Sequence, residues 1–262
     1  MFNMSIFFLI YITFFSFLFS QNNSFVVIIP SYNNEKWCIK NLESIINQNH
    51  SDFRIIYIND CSIDKTKELV LSYFNKKNIF NSVLFVDNTV RLGALNNLYT
   101  AIHSCKDEEI VVIVDGDDWL YDNNVFSKLN KIYNEKKPLL TYGQFIYLTT
   151  GKVGFCKQYS DDVIQKQNFR YCNWNSSHLK TFKAHLFKKI KKEDLMYKSK
   201  FFDMACDLAF MFPMLEMARD KIYFVPDILY VYNNSNPIND FYVNQKRQKF
   251  LEKIIKKRPK YN

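Results

Sequence analysis

The feature that most constrains this chain is a pair of unbroken apolar runs, Phe25-Val-Val-Ile-Ile29 and Ile110-Val-Val-Ile-Val114. A strand with one face in water alternates apolar and polar residues, so a β-branched run without alternation reads as a strand buried on both faces. Such strands belong to a sheet covered by helices on both sides. Residues 53–58 and 83–86 supply two further strands. Between the strands the apolar residues shift to helical spacing. Trp37, Leu42, Ile45 and Ile46 mark one helix, Leu69, Val70 and Tyr73 the inner face of another over 64–74, and 92–104 a third. Strands alternating with helices predict right-handed crossovers and a mostly parallel sheet. The expected fold class is α/β, Rossmann-like, with one domain over 25–240.

The second half carries a weaker pattern. Residues 139–148 read as a strand and 149–171 as loop. Helices are expected over 174–192 and 201–219, with Pro213 kinking or breaking the second, and a last strand over 222–232 interrupted by Pro226. Residues 241–262 form a basic helical tail. The formal net charge is +9, and much of the basic excess lies between Lys246 and Lys260 rather than along a stripe. No nucleic-acid partner is therefore expected. The tail reads as a solvated amphipathic helix, or else as a contact for a diphosphate or a membrane surface.

The first 24 residues carry no charged side chain, and residues 5–20 are an apolar run too short for a full span, which takes about 20 residues. The run matches the apolar region of a signal peptide, with Ser20 a small residue near a cleavage point, although the basic leader is missing. A cleaved signal peptide, an uncleaved anchor and a buried helix all fit residues 1–24. The first two place the protein in the lumen of the secretory pathway, membrane-anchored or secreted, with a membrane contact through this segment.

Phosphate-cradling loops of the GxxxxGK[ST] and GxGxxG types are absent, and six cysteines and four histidines show no zinc-type pairing. Any nucleotide chemistry must rest on carboxylates. In an open α/β sheet, ligands sit outside the carboxyl ends of the strands. Three such ends carry polar clusters: Pro30-Ser31-Tyr32-Asn33, Asn59-Asp60, and Asp115-Gly116-Asp117-Asp118. Three carboxylates in four residues repel unless a cation compensates, and Mn²⁺ and Mg²⁺ take oxygen ligands and bridge carboxylate to diphosphate. Gly116 would let the backbone approach a ligand closely. An acidic turn that merely ends a strand is the alternative.

These residues carry a family resemblance. IIPSYNNEKW, YINDCSIDKT, RLGALNNL and IVDGDDWL resemble, in order, the motifs of family 2 glycosyltransferases of the GT-A fold. The resemblance covers 25–134 closely and extends loosely to about 232. It implies inverting transfer of a sugar, hexosyltransferase-type, from a nucleoside diphosphate sugar, usually UDP-linked, to an acceptor hydroxyl with a divalent metal. By position, Pro30, Tyr32, Asn59 and Asp60 would line the nucleobase pocket, and Asp60 would accept from the base ring NH. Arg91 would lie near base or diphosphate, with Asn96 or Asn97 closing its loop. Asp115 and Asp117 would contact ribose and metal, and Asp118 would ligate the metal directly. The sequence departs from the family where Asn59 replaces an acid, Cys61 a glycine and Cys206 the first acid of a late pair. The second acid is Asp207, the expected catalytic base, with Asp203 one turn earlier; a helix N-terminal acid favoured by the dipole is its structural alternative. His178 is a candidate for diphosphate or metal contact and Trp174 for an acceptor sugar, against structural roles for both. The acceptor is a glycan, protein or lipid. The altered acid pair at Cys206 leaves a catalytically silent nucleotide-sugar or glycan-binding protein as the alternative function.

Overall fold

The computed structural model describes residues 22–238 and 243–261. The N-terminal apolar segment lies outside them, apart from Asn22, Asn23 and Ser24. Among the described residues no helix is long and apolar enough to cross a membrane.

Eight strands form one sheet. They are β1 (Phe25–Ser31), β2 (Phe53–Asn59), β3 (Val83–Asp87), β4 (Ile110–Ile113), β5 (Trp119–Leu120), β6 (Leu140–Tyr147), β7 (Lys180–Lys183) and β10 (Ile222–Tyr232), in the order β3-β2-β1-β4-β7-β6-β10-β5. β8 (Met196–Tyr197) and β9 (Lys200–Phe201) make a separate small hairpin. In the main sheet β7 and β5 run against the other strands, which share one direction. The main helices are α1 (Cys38–Ile46), α2 (Thr66–Lys77), α3 (Ala94–His103), α4 (Val125–Lys136), α5 (Asp161–Gln165), α6 (Ala184–Lys188), α7 (Cys206–Ala218) and α8 (Gln245–Lys256).

The apolar runs are explained by where their side chains go. Val26 and Ile28 of β1 join a core with Leu98 of α3 and Phe210 of α7, while Phe25, Val27 and Ile29 join a second core with Leu42 of α1 and Phe126 of α4. β4 divides in the same way, Val111 and Ile113 against Ile110 and Val112. A period of two across two buried faces leaves no polar position to alternate with.

Pro30 does not end β1, which continues to Ser31. Its carbonyl accepts from Gly116 N on the side where β4 has already finished. The donor that proline lacks would point the same way, where the ladder has no strand left. Pro226 likewise leaves β10 continuous: pairing with β6 jumps from Val225 to Ile228, a bulge that takes the proline out of register. Pro213 sits inside α7 without ending it.

The expected helix over 174–192 is not there. The chain runs without regular structure to Leu179, forms β7 between β4 and β6, and turns helical only over Ala184–Lys188. Sheet insertion outweighs the helical spacing of Leu179, Phe182 and Leu186. Thr181 of β7 is tied in by a buried hydroxyl cluster with Tyr133 at 2.9 Å and Thr141 at 2.6 Å. The expected helix over 201–219 starts later, at Cys206, after β9. The six cysteines are all unbridged.

Candidate active site

Six strands end at one edge of the main sheet, and because β7 runs the opposite way, the residues leading into it arrive at the same edge. Asp115 to Asp118 connect β4 to β5 there, His178 and Lys180 enter β7 there, and Asp207 projects from the first turn of α7. Gly116 is required by packing: a Cβ at this position would lie 2.5 Å from Asn34 Nδ2 and 2.7 Å from Ser31 Oγ. The close approach is to the protein's own β1–α1 loop, which differs from the ligand approach expected of it.

Asp115, Asp118 and His178 offer ligand atoms within 4.8 Å of one another. Asp118 is buried, accepting from Tyr230 Oη at 2.8 Å and from Asn233 N at 2.7 Å. Tyr230 Oη also accepts from Asp115 N at 3.1 Å, so one hydroxyl ties the two acidic residues together. The His178 ring lies parallel to Tyr230 at 4.6 Å and stacks on Tyr232 at 5.4 Å. Asp117 is not one of this trio and accepts from Asn236 Nδ2 at 2.7 Å. Of the two metal ligands expected from sequence, Asp118 is in the cluster and Asp117 is not; Asp115 and His178 are its other members.

The electrostatics suit a cation. Burial pushes the Asp118 carboxyl well above the ordinary range, and Asp117 and Asp115 push it further. Burial raises Asp117 too. Burial, helped by Lys180, pushes His178 down to about 3, so its imidazole is neutral at physiological pH. Two crowded carboxylates and a neutral imidazole are a donor set that Mn²⁺, an ion served by both oxygen and nitrogen, fits.

Lys180 is a residue that sequence reasoning missed. Its side chain is 1% exposed, and Nζ donates to Asp207 Oδ2 at 2.7 Å and lies 3.4 Å from His178 Nδ1. Burial favours the neutral amine, but Asp207, Asp115 and Asp118 outweigh it and raise the pKa. For Asp207 burial pulls upward, and Lys180 and His178 hold the carboxyl below its ordinary range. The Asp207 side chain keeps 37% exposure, and its carboxylate stays charged beside Lys180. Asp203 is instead paired with Arg247 of α8, at 2.7 and 2.9 Å. Trp174 is half-buried with its edge against Phe212 of α7.

The other polar strand ends form a second cluster. Asp60 accepts from Asn88 Nδ2, Leu92 N and Gly93 N at 2.8, 2.9 and 2.8 Å, tying down the loop before α3. Burial would raise its pKa, but these donors hold it below the ordinary range. Asn97 joins this network through Asn88, and Asn59 donates to Asp87 at 2.7 Å. Arg91 lies over the Tyr32 ring at 3.8 Å. Pro30 is buried within β1, and Asn96 is half-buried in α3.

A family model for glycosyl transferase family 2 matches residues 26–215. The chain belongs to that family. Its α/β sheet resembles Staphylococcus aureus TarS 1–349 in complex with UDP-GlcNAc, with TM-score 0.65 and 19% identity over 88% of this chain and 65% of that one. It also resembles the mannosyltransferase PcManGT of Pyrobaculum calidifontis in complex with GDP-Man and Mn²⁺, with TM-score 0.62 and 17% identity over 92% and 66%. These likenesses establish a GT-A-like fold. In sequence, glycosyltransferase GlyG of Streptococcus pneumoniae is 26% identical over 79% of this chain and 69% of its own length. The poly(ribitol-phosphate) β-N-acetylglucosaminyltransferase TarS of S. aureus is 32% identical over 37% of this chain, and the match spans 16% of TarS. The chain thus spans only part of the length of the first relatives it matches.

Proposed function

We propose that this enzyme transfers a sugar, with inversion and with a divalent metal, from a UDP-linked donor to an acceptor hydroxyl. The observation that carries the reading is the meeting of Asp115, Asp118 and His178 with the charged carboxylate of Asp207 at one sheet edge. Asp115, Asp118 and His178 would hold the ion, which when bound neutralises charge on the departing diphosphate. The Tyr32 ring and the Arg91 guanidinium offer a platform for the nucleobase. Asp207 accepts the proton of the acceptor hydroxyl as that oxygen forms its bond to the sugar's anomeric carbon. The bond from that carbon to the diphosphate oxygen breaks on the opposite face, and the electron pair leaves with UDP.

TarS in complex with UDP-GlcNAc supports a uridine donor, and the mannosyltransferase with Mn²⁺ supports the metal. The test is hydrolysis of a panel of nucleotide sugars by the full-length chain with and without Mn²⁺. Metal-dependent UDP release from one donor, abolished by Asp118→Ala in a folded protein, is the expected result. Turnover that ignores both metal and Asp118 would refute the reading. Nucleotide binding with no transfer to water or to a range of acceptors would favour a silent binding protein. A luminal or membrane-anchored location belongs to the same reading, and fractionation of cells expressing tagged full-length protein tests it.

A further inference from the structure

We propose that Lys180 is a positioning residue of this reaction, its buried ammonium acting as a fixed cation that sets the place of Asp207 and opposes the charge of a divalent ion at Asp115, Asp118 and His178. The inference rests on the transferase reading above.

A lysine 1% exposed is rare, because an ammonium leaves water only when paired. The pairing here spans the site. Nζ donates to Asp207 of α7 and sits at the ring edge of His178. Lys180 itself is fixed by the sheet, since it pairs in register with Ile113 of β4, two residues before Asp115, and with Tyr142 of β6. One rigid strand thus places a positive charge between the proton acceptor and the acidic loop.

Fold stability alone does not account for it. A buried ion pair gains little over apolar side chains of the same volume, and methionine would fill this space without a charge to desolvate. What the ammonium does that methionine cannot is electrostatic. It holds the Asp207 carboxylate charged at a defined position. It also lowers the negative potential at the acidic pair, which weakens metal binding relative to an uncharged neighbour.

Those effects have opposite signs in one variant, which a purely structural lysine would not produce. The experiment compares the full-length wild type with Lys180→Met, Lys180→Gln and Lys180→Arg. Free Mn²⁺ is counted by electron paramagnetic resonance during titration, and Mn²⁺-dependent sugar transfer to water is measured in parallel. Lys180→Met should bind Mn²⁺ about tenfold more tightly, since a like charge 3.4 Å from His178 Nδ1 has been removed. Its transfer rate should fall about a hundredfold. Lys180→Arg should keep the wild-type Mn²⁺ affinity. Lys180→Gln, which keeps a donor for Asp207, covers a failure of the methionine variant to fold, with the same tightening expected. Unchanged or weaker Mn²⁺ binding in the folded neutral variants overturns the inference alone. A wild-type chain with no saturable Mn²⁺ binding overturns the metal reading of the site and this inference with it.

Discussion

The ion pair between Arg170 and Glu216 gives the sharpest stability prediction. Both side chains are buried to within 1% of full enclosure, and they meet in a two-point pair at 2.6 and 2.9 Å. The remaining capacity goes to the C-terminal segment. Arg170 donates to Ile255 O of α8 at 2.7 Å, and Glu216 accepts from Tyr261 N at 3.0 Å. Replacing Glu216 with leucine leaves a guanidinium in the core with one carbonyl for company, at a cost of about 3–5 kcal/mol. For a chain of this length that lowers the melting temperature by roughly 6–20 °C. The double variant Arg170→Met/Glu216→Leu removes both charges together, and its cost should be no more than about 2 kcal/mol, because apolar side chains replace such pairs with little penalty. Chemical denaturation of the full-length chain, followed by circular dichroism, measures Glu216→Leu, Arg170→Met and the double variant. A single variant costing less than about 1 kcal/mol, or a double variant costing the sum of the singles, would refute the claim that this pair is an enclosed, mutually dependent unit.

Three further outcomes are expected. His178→Ala should weaken Mn²⁺ binding by about 10–100-fold while leaving nucleotide binding without metal unchanged, read by calorimetric titration. Gly116→Ala forces a methyl group against Ser31 and Asn34; it should cost about 1–3 kcal/mol and lower transfer by displacing Asp115 and Asp118, which denaturation and UDP release report together. Glu109 is held below the ordinary glutamate range because the Arg54 pair at 2.9 Å and the Lys106 N–H outweigh its burial. A depressed carboxylate stabilises above its ordinary pKa of about 4.3 and loses that contribution as pH falls through its folded value. The stability gap between wild type and Glu109→Gln should therefore close below that pH; it should be no more than about 1 kcal/mol at neutrality, since Arg54 is part-exposed.

Part of the molecule was legible in the sequence alone, for physical reasons. β1 and β4 showed as unbroken runs because both their faces are buried, whereas a strand with one wet face would have alternated. Asp60, Asp115 and Asp118 were legible because parallel strands of one sheet must end together. Cys61, where the family resemblance calls for glycine, adopts a φ of 61°, so the backbone keeps the left-handed turn and the side chain bears the strain. The missed strand and its lysine have one origin. β7 is four residues long, too short for its alternation to show, and Leu179, Phe182 and Leu186 mimic a helix around it. Reading it as helix hid Lys180, since a single lysine in a helix reads as surface. The Tyr230 and Tyr232 platform was within reach, because residues two apart on a strand share a face.

The backward run of β7 bears on how the site is built. A sheet of parallel strands delivers only the residues that follow each strand to its ligand-binding edge, and here these are Asp60 and the acidic loop. Residues that precede a strand reach the same edge only when the strand runs backwards. β7 does so, and His178 and Lys180 therefore arrive on rigid backbone beside Asp115 and Asp118. The parallel half supplies acid and an antiparallel insertion supplies an imidazole and an ammonium. With Asp117 and Asp115 adding to the burial that pushes the Asp118 carboxyl up, Asp207 stays charged because that insertion brings it a cation.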